Sequence, residues 1–508
     1  MAAGAVTVQA RSAAFGRVQR TPEGRVNRAE LSDHLRSRNV PWISEGSGMV
    51  LQSTARTRKG RDGAAISIFV FALVAVLVGL PRIASAVPSF ATQTGLPCAQ
   101  CHVMAFGPQL TEYGRQFKLN GYTFRKQNGG LNIPLAATVI AGYENISKAA
   151  PNPSPYSDKA NLALQDVSVY FAGGITDHLG AFVKATYDHI FRTTAWDTMD
   201  VRYAHTVDLG GHSTVLGITV NNDPTAQDLW NSTPVWGFPY IGSELVPFPI
   251  TAPVLDQAFG NTVLGASVYS MIDSRWYVEV GFYKGLSDKW LANLGDAGAS
   301  PHIVGAAPYG RLTWHQQTGP HYLEVGLIGF SAKQQPFQPA TTATNRSTDY
   351  GLDASYQFNI GTPQAFDAHA SWIHEKRQLD ASYAIGISDA TSNTLDTFQM
   401  DVSYIMDQTW ASTVGVFNTN GSTNRLMFTP GPVSGSASGA PTTGGYIVRF
   451  EWIPFGKFGS FASPWLNLRM GAQYTGYWRF NGGHTNYDGF GRSATDNNAF
   501  FLYTWLAF

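Results

Sequence analysis

The chain of 508 residues contains two cysteines, and both fall in one five-residue stretch, Cys98-Ala99-Gln100-Cys101-His102. Two thiols three positions apart match the two vinyl groups of one porphyrin, and the histidine beside them is placed to ligate the iron from the same side. A thioredoxin-like dithiol needs a βαβ context, which the flanking sequence lacks. A zinc site needs more ligands, and there is no second C-x-x-C. The spacing therefore predicts one covalently bound c-type haem on Cys98 and Cys101, with His102 as an axial ligand of its iron. No cysteine is left for a disulfide.

Haem attachment of this kind belongs to exported chains, and the upstream sequence reads that way. Ala64 to Leu80 is an uninterrupted apolar run, preceded by Arg56, Arg58, Lys59 and Arg61 and followed by Ala84-Ser85-Ala86. A basic flank, a short apolar core and an A-x-A end predict a secretory signal over 49–86, cleaved after Ala86. Residues 1–48, arginine-rich and without strand or helix period, read as a mis-called or disposable extension ahead of Met49. The whole chain has a formal net charge of +0, but twelve of its 35 basic and five of its 35 acidic residues lie in residues 1–86. From Val87 onward 23 basic residues face 30 acidic ones, a net charge of −7. The absence of a basic excess argues against nucleic acid as a partner, and the exported chain is mildly acidic.

The haem segment is read as residues 87–130, and fewer than thirty residues separate His102 from the first strand. That is too little chain for an independent cytochrome core, so the haem must borrow its surroundings from the rest of the chain. Residues 131–508 show strand-length segments of alternating apolar and polar residues separated by turns. Leu466, Leu468, Met470, Ala472 and Tyr474 oppose Asn467, Arg469, Gly471, Gln473 and Thr475. Leu312 and Trp314 likewise oppose Arg311, Thr313 and His315. Arginine and glutamine opposite a continuous apolar face fit a barrel with lipid outside and a polar lumen. Long connections near 144–160, 223–261, 286–305, 333–347, 378–393, 419–442 and 481–497 alternate with short ones such as Gly173–Asp177, Gly210-Gly211 and Met406–Gln408. The connection near 191–196 is short for its place, and the turn near 454–463 is long for its place. The predicted fold is all-β: a transmembrane outer-membrane barrel of about 16 strands, with short turns in the periplasm and long loops outside. The terminal strand, Ala499 to Phe508, ends on an aromatic, and its resemblance to the last strand of outer-membrane proteins implies an assembly signal. Low charge (14%) and abundant aromatics (13%) suit a lipid-facing wall with aromatic girdles.

The segment around the haem motif carries a resemblance. Pro88-Ser89-Phe90-Ala91-Thr92-Gln93-Thr94-Gly95-Leu96-Pro97 leads into Cys98, and Pro108-Gln109-Leu110-Thr111-Glu112-Tyr113-Gly114-Arg115-Gln116-Phe117-Lys118-Leu119-Asn120-Gly121-Tyr122 comes after the motif. Residues 88–122 resemble the monohaem cytochrome–porin fusion family of bacterial outer membranes, which includes outer-membrane iron-oxidising cytochromes c. Thr92 and Tyr113 depart from the Arg and Phe usual in that family. The resemblance implies Fe(II):cytochrome c oxidoreductase-like electron transfer, with extracellular Fe(II) as donor and a periplasmic cytochrome as acceptor. The alternatives are a diffusion porin with a haem plug or sensor, and an electron conduit for another donor.

Strand parity singles out further residues. His315 and His369 should point into the lumen and are the candidates for the distal haem ligand. Met104 is too near His102 in sequence to reach the opposite haem face. His189, His205, Met400 and Met470 should look outward. Arg115 and Lys118 are expected either to neutralise haem propionates or to line the lumen. The haem segment should lie at the periplasmic mouth or within the lumen.

Overall fold

A computed structural model describes residues 89–126, 134–150, 156, 158–295, 300–336, 342–461, 463 and 465–508. The expected extension (1–48) and signal (49–86) lie outside the described residues. Sixteen antiparallel strands, β1 to β16, form a closed barrel in which each strand pairs with its sequence neighbours. β1 (Leu135–Ile146) and β16 (Ala499–Ala507) make the closing seam. Phe508 extends the seam, since its carbonyl accepts from the Ala137 amide (2.7 Å) and its amide donates to the Ala137 carbonyl (3.0 Å). Closure leaves no unpaired strand edge, which is the condition for strands to cross a bilayer.

The alternation read from sequence holds. In β15 (Asn467–Arg479), Asn467, Arg469 and Gln473 are buried in the lumen while Met470 and Tyr474 face outward. His315 and His369 are buried inward, and Met400 and His205 are exposed outward. His189 lies in the short connection after Asp188 and is half-buried. Val268, Val280, Leu312, Leu327, Val414, Val448 and Leu502 belong to an apolar exterior that water would not tolerate but lipid does. The interior instead holds Arg202, Arg311, Arg449 and Arg469, each fully buried against carboxylates or carbonyls.

Two segments fill this lumen. The first is the haem-motif segment, which is a plug folded into the barrel. It contains α1 (Ser89–Thr94), α2 (Cys98–Cys101) and α3 (Glu112–Leu119). Thr111 caps α3, its hydroxyl accepting from the Gly114 amide (3.2 Å), with Glu112 in the first turn and Lys118 in the last. Gly121, at φ +68, ends it where the chain passes close to the Arg202 carbonyl.

The second is the connection between β5 (His212–Asn221) and β6 (Val263–Ile272). The sequence places it among the long external loops, and the structure corrects that reading: residues 222–236 are buried. Trp230, Trp236 and Tyr240 pack inside, and Asp228 meets Arg311 at 3.2 Å. A loop rich in aromatics and in side chains that hydrogen-bond the wall satisfies its backbone inside the barrel rather than in solvent.

Candidate functional site

The plug is seated at the end of the barrel that carries the short turns. The Ala99 amide donates to the Gly456 carbonyl (2.9 Å), and Gln408 Nε2 donates to the carbonyls of Ala99 and Val103 (both 3.3 Å). Gln93 Nε2 reaches the Tyr122 carbonyl, while its Oε1 accepts from the Gly174 amide (2.8 Å). The turn after Trp452, longer than its neighbours at this end, thus has a purpose: it holds the cysteine helix. Phe106 packs at 4.5 Å on Trp505 of the last strand, and Val103, Met104 and Ala105 share that apolar cluster.

Within the plug, α2 presents Cys98 (buried) and Cys101 (half-buried), both free thiols. Glycine at 114 lets α3 lie directly on α2, since a Cβ there would sit 2.3 Å from the Cys101 carbonyl oxygen. Burial raises both thiols, Cys101 to about 11. His102 is 2% exposed, and burial holds its imidazole well below its usual range, in the neutral form that ligates metal. A hydrogen bond with the Gly107 backbone acts in the opposite sense. Two thiols on one helical turn beside a buried imidazole are the groups a c-type haem would need, Cys98 and Cys101 for thioether attachment and His102 for the iron.

Arg469 fastens the plug from the wall. Its guanidinium donates to Glu451 (2.7 and 2.6 Å) and to the Phe106 carbonyl (2.8 Å), and it touches Met104 Sδ at 3.9 Å. Gln109 Nε2 donates to Asp367 Oδ2 (2.7 Å). Arg115 and Lys118, expected as propionate partners or lumen lining, are both buried and engaged. Arg115 Nη1 donates to the Leu110 carbonyl (2.7 Å) and Gln357 Oε1 (2.9 Å), and its guanidinium lies 3.8 Å over Tyr322. Lys118 Nζ donates to the carbonyls of Ala226 (3.1 Å) and Asp228 and to Asn231 Oδ1 (3.1 Å). Lys118 thereby ties the plug to the inward loop.

The two candidate distal histidines differ. His369 stands between carboxylates, 3.7 Å from Asp367 and 3.5 Å from Asp401. His315 packs against the rings of Trp230 (5.5 Å) and Tyr322 (5.7 Å), and its Nε2 has no hydrogen-bond partner among the described residues. Neither joins His102, Cys98 and Cys101 in the contacts that build the plug. Among the described residues no three His, Cys, Asp or Glu side chains form a ready metal shell. Sequence reasoning missed Gln408, Gln109, Arg469 as a plug anchor and the Gly456 carbonyl. Only Arg469 carried a signal, as a charge opposite an apolar face.

No protein-family model matches this sequence, and comparison with curated proteins finds no relative. Among solved structures, the chain is similar to the outer membrane channel DcaP of Acinetobacter baumannii: TM-score 0.41 and 14% identity over 75% of this chain and 99% of that one. It is also similar to the anion-selective porin of Comamonas acidovorans, with TM-score 0.40 and 10% identity over 73% and 98%. A third likeness is to OmpT of Vibrio cholerae, with TM-score 0.38 and 10% identity over 74% and 96%. The barrel rests on its own strand pairing, and these distant likenesses say nothing of what it does.

Proposed function

We propose that this chain is an outer-membrane c-type cytochrome built into a porin-like barrel, which carries electrons from extracellular Fe(II) to a periplasmic cytochrome. The observation that carries the reading is the burial of the C-x-x-C-H turn in the short-turn mouth of a barrel whose inner wall supplies its packing. In bacterial barrels the short turns face the periplasm, which is where a soluble acceptor would approach. When bound, a c-type haem supplies a one-electron couple at that end. Cys98 and Cys101 would each add S–H across one vinyl group, forming a C–S bond while the hydrogen passes to the neighbouring carbon, a redox-neutral attachment. His102 would ligate the iron from one side. Trp505, Phe106 and Met104 keep water from the turn. No proton-transfer pair is required of the protein, because the step is the loss of one electron by Fe(II) and its gain by the acceptor.

A diffusion porin needs a solute path past residues 89–124 and 222–236, and the buried contacts of both segments oppose one.

The test begins with protein purified from a haem-maturation-competent host. A pyridine haemochrome spectrum and haem mass on Cys98 and Cys101 are expected, and an unshifted mass overturns the reading. Fe(II) added without oxygen should then reduce the haem. If another donor reduces it and Fe(II) does not, the iron assignment fails. Liposome swelling by small sugars would favour the diffusion porin instead.

A further inference from the structure

Among the described residues, one lumenal carboxylate at the root of the inward loop has like charges and no cation beside it. Asp223 lies just past β5, at the root of the inward loop, and is 5% exposed. Its Oδ1 has no hydrogen-bond partner, and its electrostatic neighbours are two more acids, Asp197 and Asp256. Asp197 is already matched by Lys184 at 2.6 Å. Asp166 and Asp188 are paired across neighbouring strands close by. Lys184 serves Asp166 and Asp197, and does not figure in the electrostatics of Asp223. A buried, unpaired carboxylate is costly unless it finds a cation or keeps its proton.

The same inward loop supplies other oxygens. Thr225, two residues on and fully buried, has an Oγ1 with no partner. Residue 260 is glycine, and the space its missing Cβ would fill lies 2.8 Å from Asp223 Oδ2 and 3.3 Å from the Gln257 carbonyl oxygen. The Ala226 amide donates to the Asp223 carbonyl (3.0 Å), and the Ala226 carbonyl accepts from Lys118. The loop root is therefore bonded directly to the plug that bears Cys98 and Cys101.

We propose that Asp223, Thr225 Oγ1 and the Gln257 carbonyl line a site for a hard divalent cation such as Fe2+ or Mn2+, with water completing its shell. One carboxylate, neutral oxygens and retained water suit hard cations rather than Zn2+ or Cu2+, which favour histidine and cysteine. Such a shell is not one built from several His, Cys, Asp or Glu side chains. The site stands on the lumenal oxygens alone. Its role as the holding point for the Fe(II) donor rests on the function proposed above.

The probe is Mn2+, followed by electron paramagnetic resonance with chelator-stripped, full-length protein in detergent. One saturable Mn2+ per chain is expected, displaced by Fe2+ under anaerobic conditions. Asp223→Asn, and independently Gly260→Ala, whose methyl would occupy the space beside Asp223 Oδ2, should each weaken binding about tenfold or more. Asp208→Asn, at an exposed acid beside a short turn, should leave it unchanged. The absence of saturable Mn2+, or unaltered affinity in both variants with the strand circular-dichroism signal intact, overturns the site. Mn2+ that Fe2+ fails to displace overturns the iron role. Haem is measured in the same samples to separate the two claims. Mn2+ bound to a chain that never acquires haem upholds the site and sinks the conduit. Haem reduced by Fe(II) without a Mn2+ site does the reverse.

Discussion

Gly114→Ala is a single methyl placed where two backbones meet. The added Cβ would lie 2.3 Å from the Cys101 carbonyl oxygen, 3.1 Å from its carbon and 3.2 Å from Leu110 Cδ2. Carbon–oxygen contacts between backbones ordinarily sit at about 3.3–3.6 Å, so α3 must retreat from α2 by roughly 1 Å. Overpacking of this kind costs about 1–3 kcal/mol, and here the upper end applies because the obstacle is main chain on a short turn. Against it stands the helix preference of alanine over glycine, about 1 kcal/mol. The net is about 2 kcal/mol against the seated plug, roughly a 30-fold shift in the ratio of seated to unseated plug. Hydrogen exchange reads this locally. The amides of His102 and Tyr122, which bond the Cys98 and Phe117 carbonyls, should exchange roughly 30-fold faster, while strand amides keep their protection. Gly329→Ala on β9 (His321–Gln334), where a Cβ meets nothing within 4 Å, is the control. Unchanged or slower exchange in the plug of Gly114→Ala would refute the close approach of α3 to the cysteine turn.

Arg469→Met removes a buried partner of Glu451 and the donor to the Phe106 carbonyl, and should lower the urea midpoint by the equivalent of about 3–5 kcal/mol; adding Glu451→Gln should restore most of it, and equal midpoints for single and double variants would sink the buried pair. Val280→Arg puts a charge at a position 56% exposed on the apolar exterior; unfolding from vesicles should show a loss of about 2–4 kcal/mol, and no loss would mean that this face does not meet lipid. Deleting Phe508 removes the two backbone bonds with Ala137 at the seam; the assembled fraction in membranes should fall, and wild-type assembly would remove its role as a signal.

Strand faces were legible because parity needs only one buried wall: Arg469 and Gln473 point inward for the reason that Met470 and Tyr474 point outward. The cysteine turn was legible as a unit because Cys98, Cys101 and His102 fall within five consecutive residues. The direction of the 222–236 segment was not. Loop length marks a connection as long and leaves open whether it folds outward or into the barrel, and that depended on partners scattered through the wall, such as Arg311, Glu279 and Tyr322. Arg115 and Lys118 were visible as cations, but Gln357 and Asn231, which engage them, lie 242 and 113 positions away. Asp223 carries no motif at all; that its Oδ1 meets no hydrogen-bond partner among the described residues is a property of the folded lumen.

Seating the plug also fixes an order of events in the life of the chain. Cys98 is 6% exposed once α2 is docked, too little for a maturation enzyme to deliver a large planar group to its sulfur. The plug precedes β1, one half of the closing seam, so it leaves the export channel before any strand that will surround it. If the proposed haem is joined to Cys98, that interval, while the segment is still an open peptide, is when the sulfur is open to it. On the function proposed above, attachment and barrel assembly would compete, and a chain that closed first would have to unseat its plug to take up a haem.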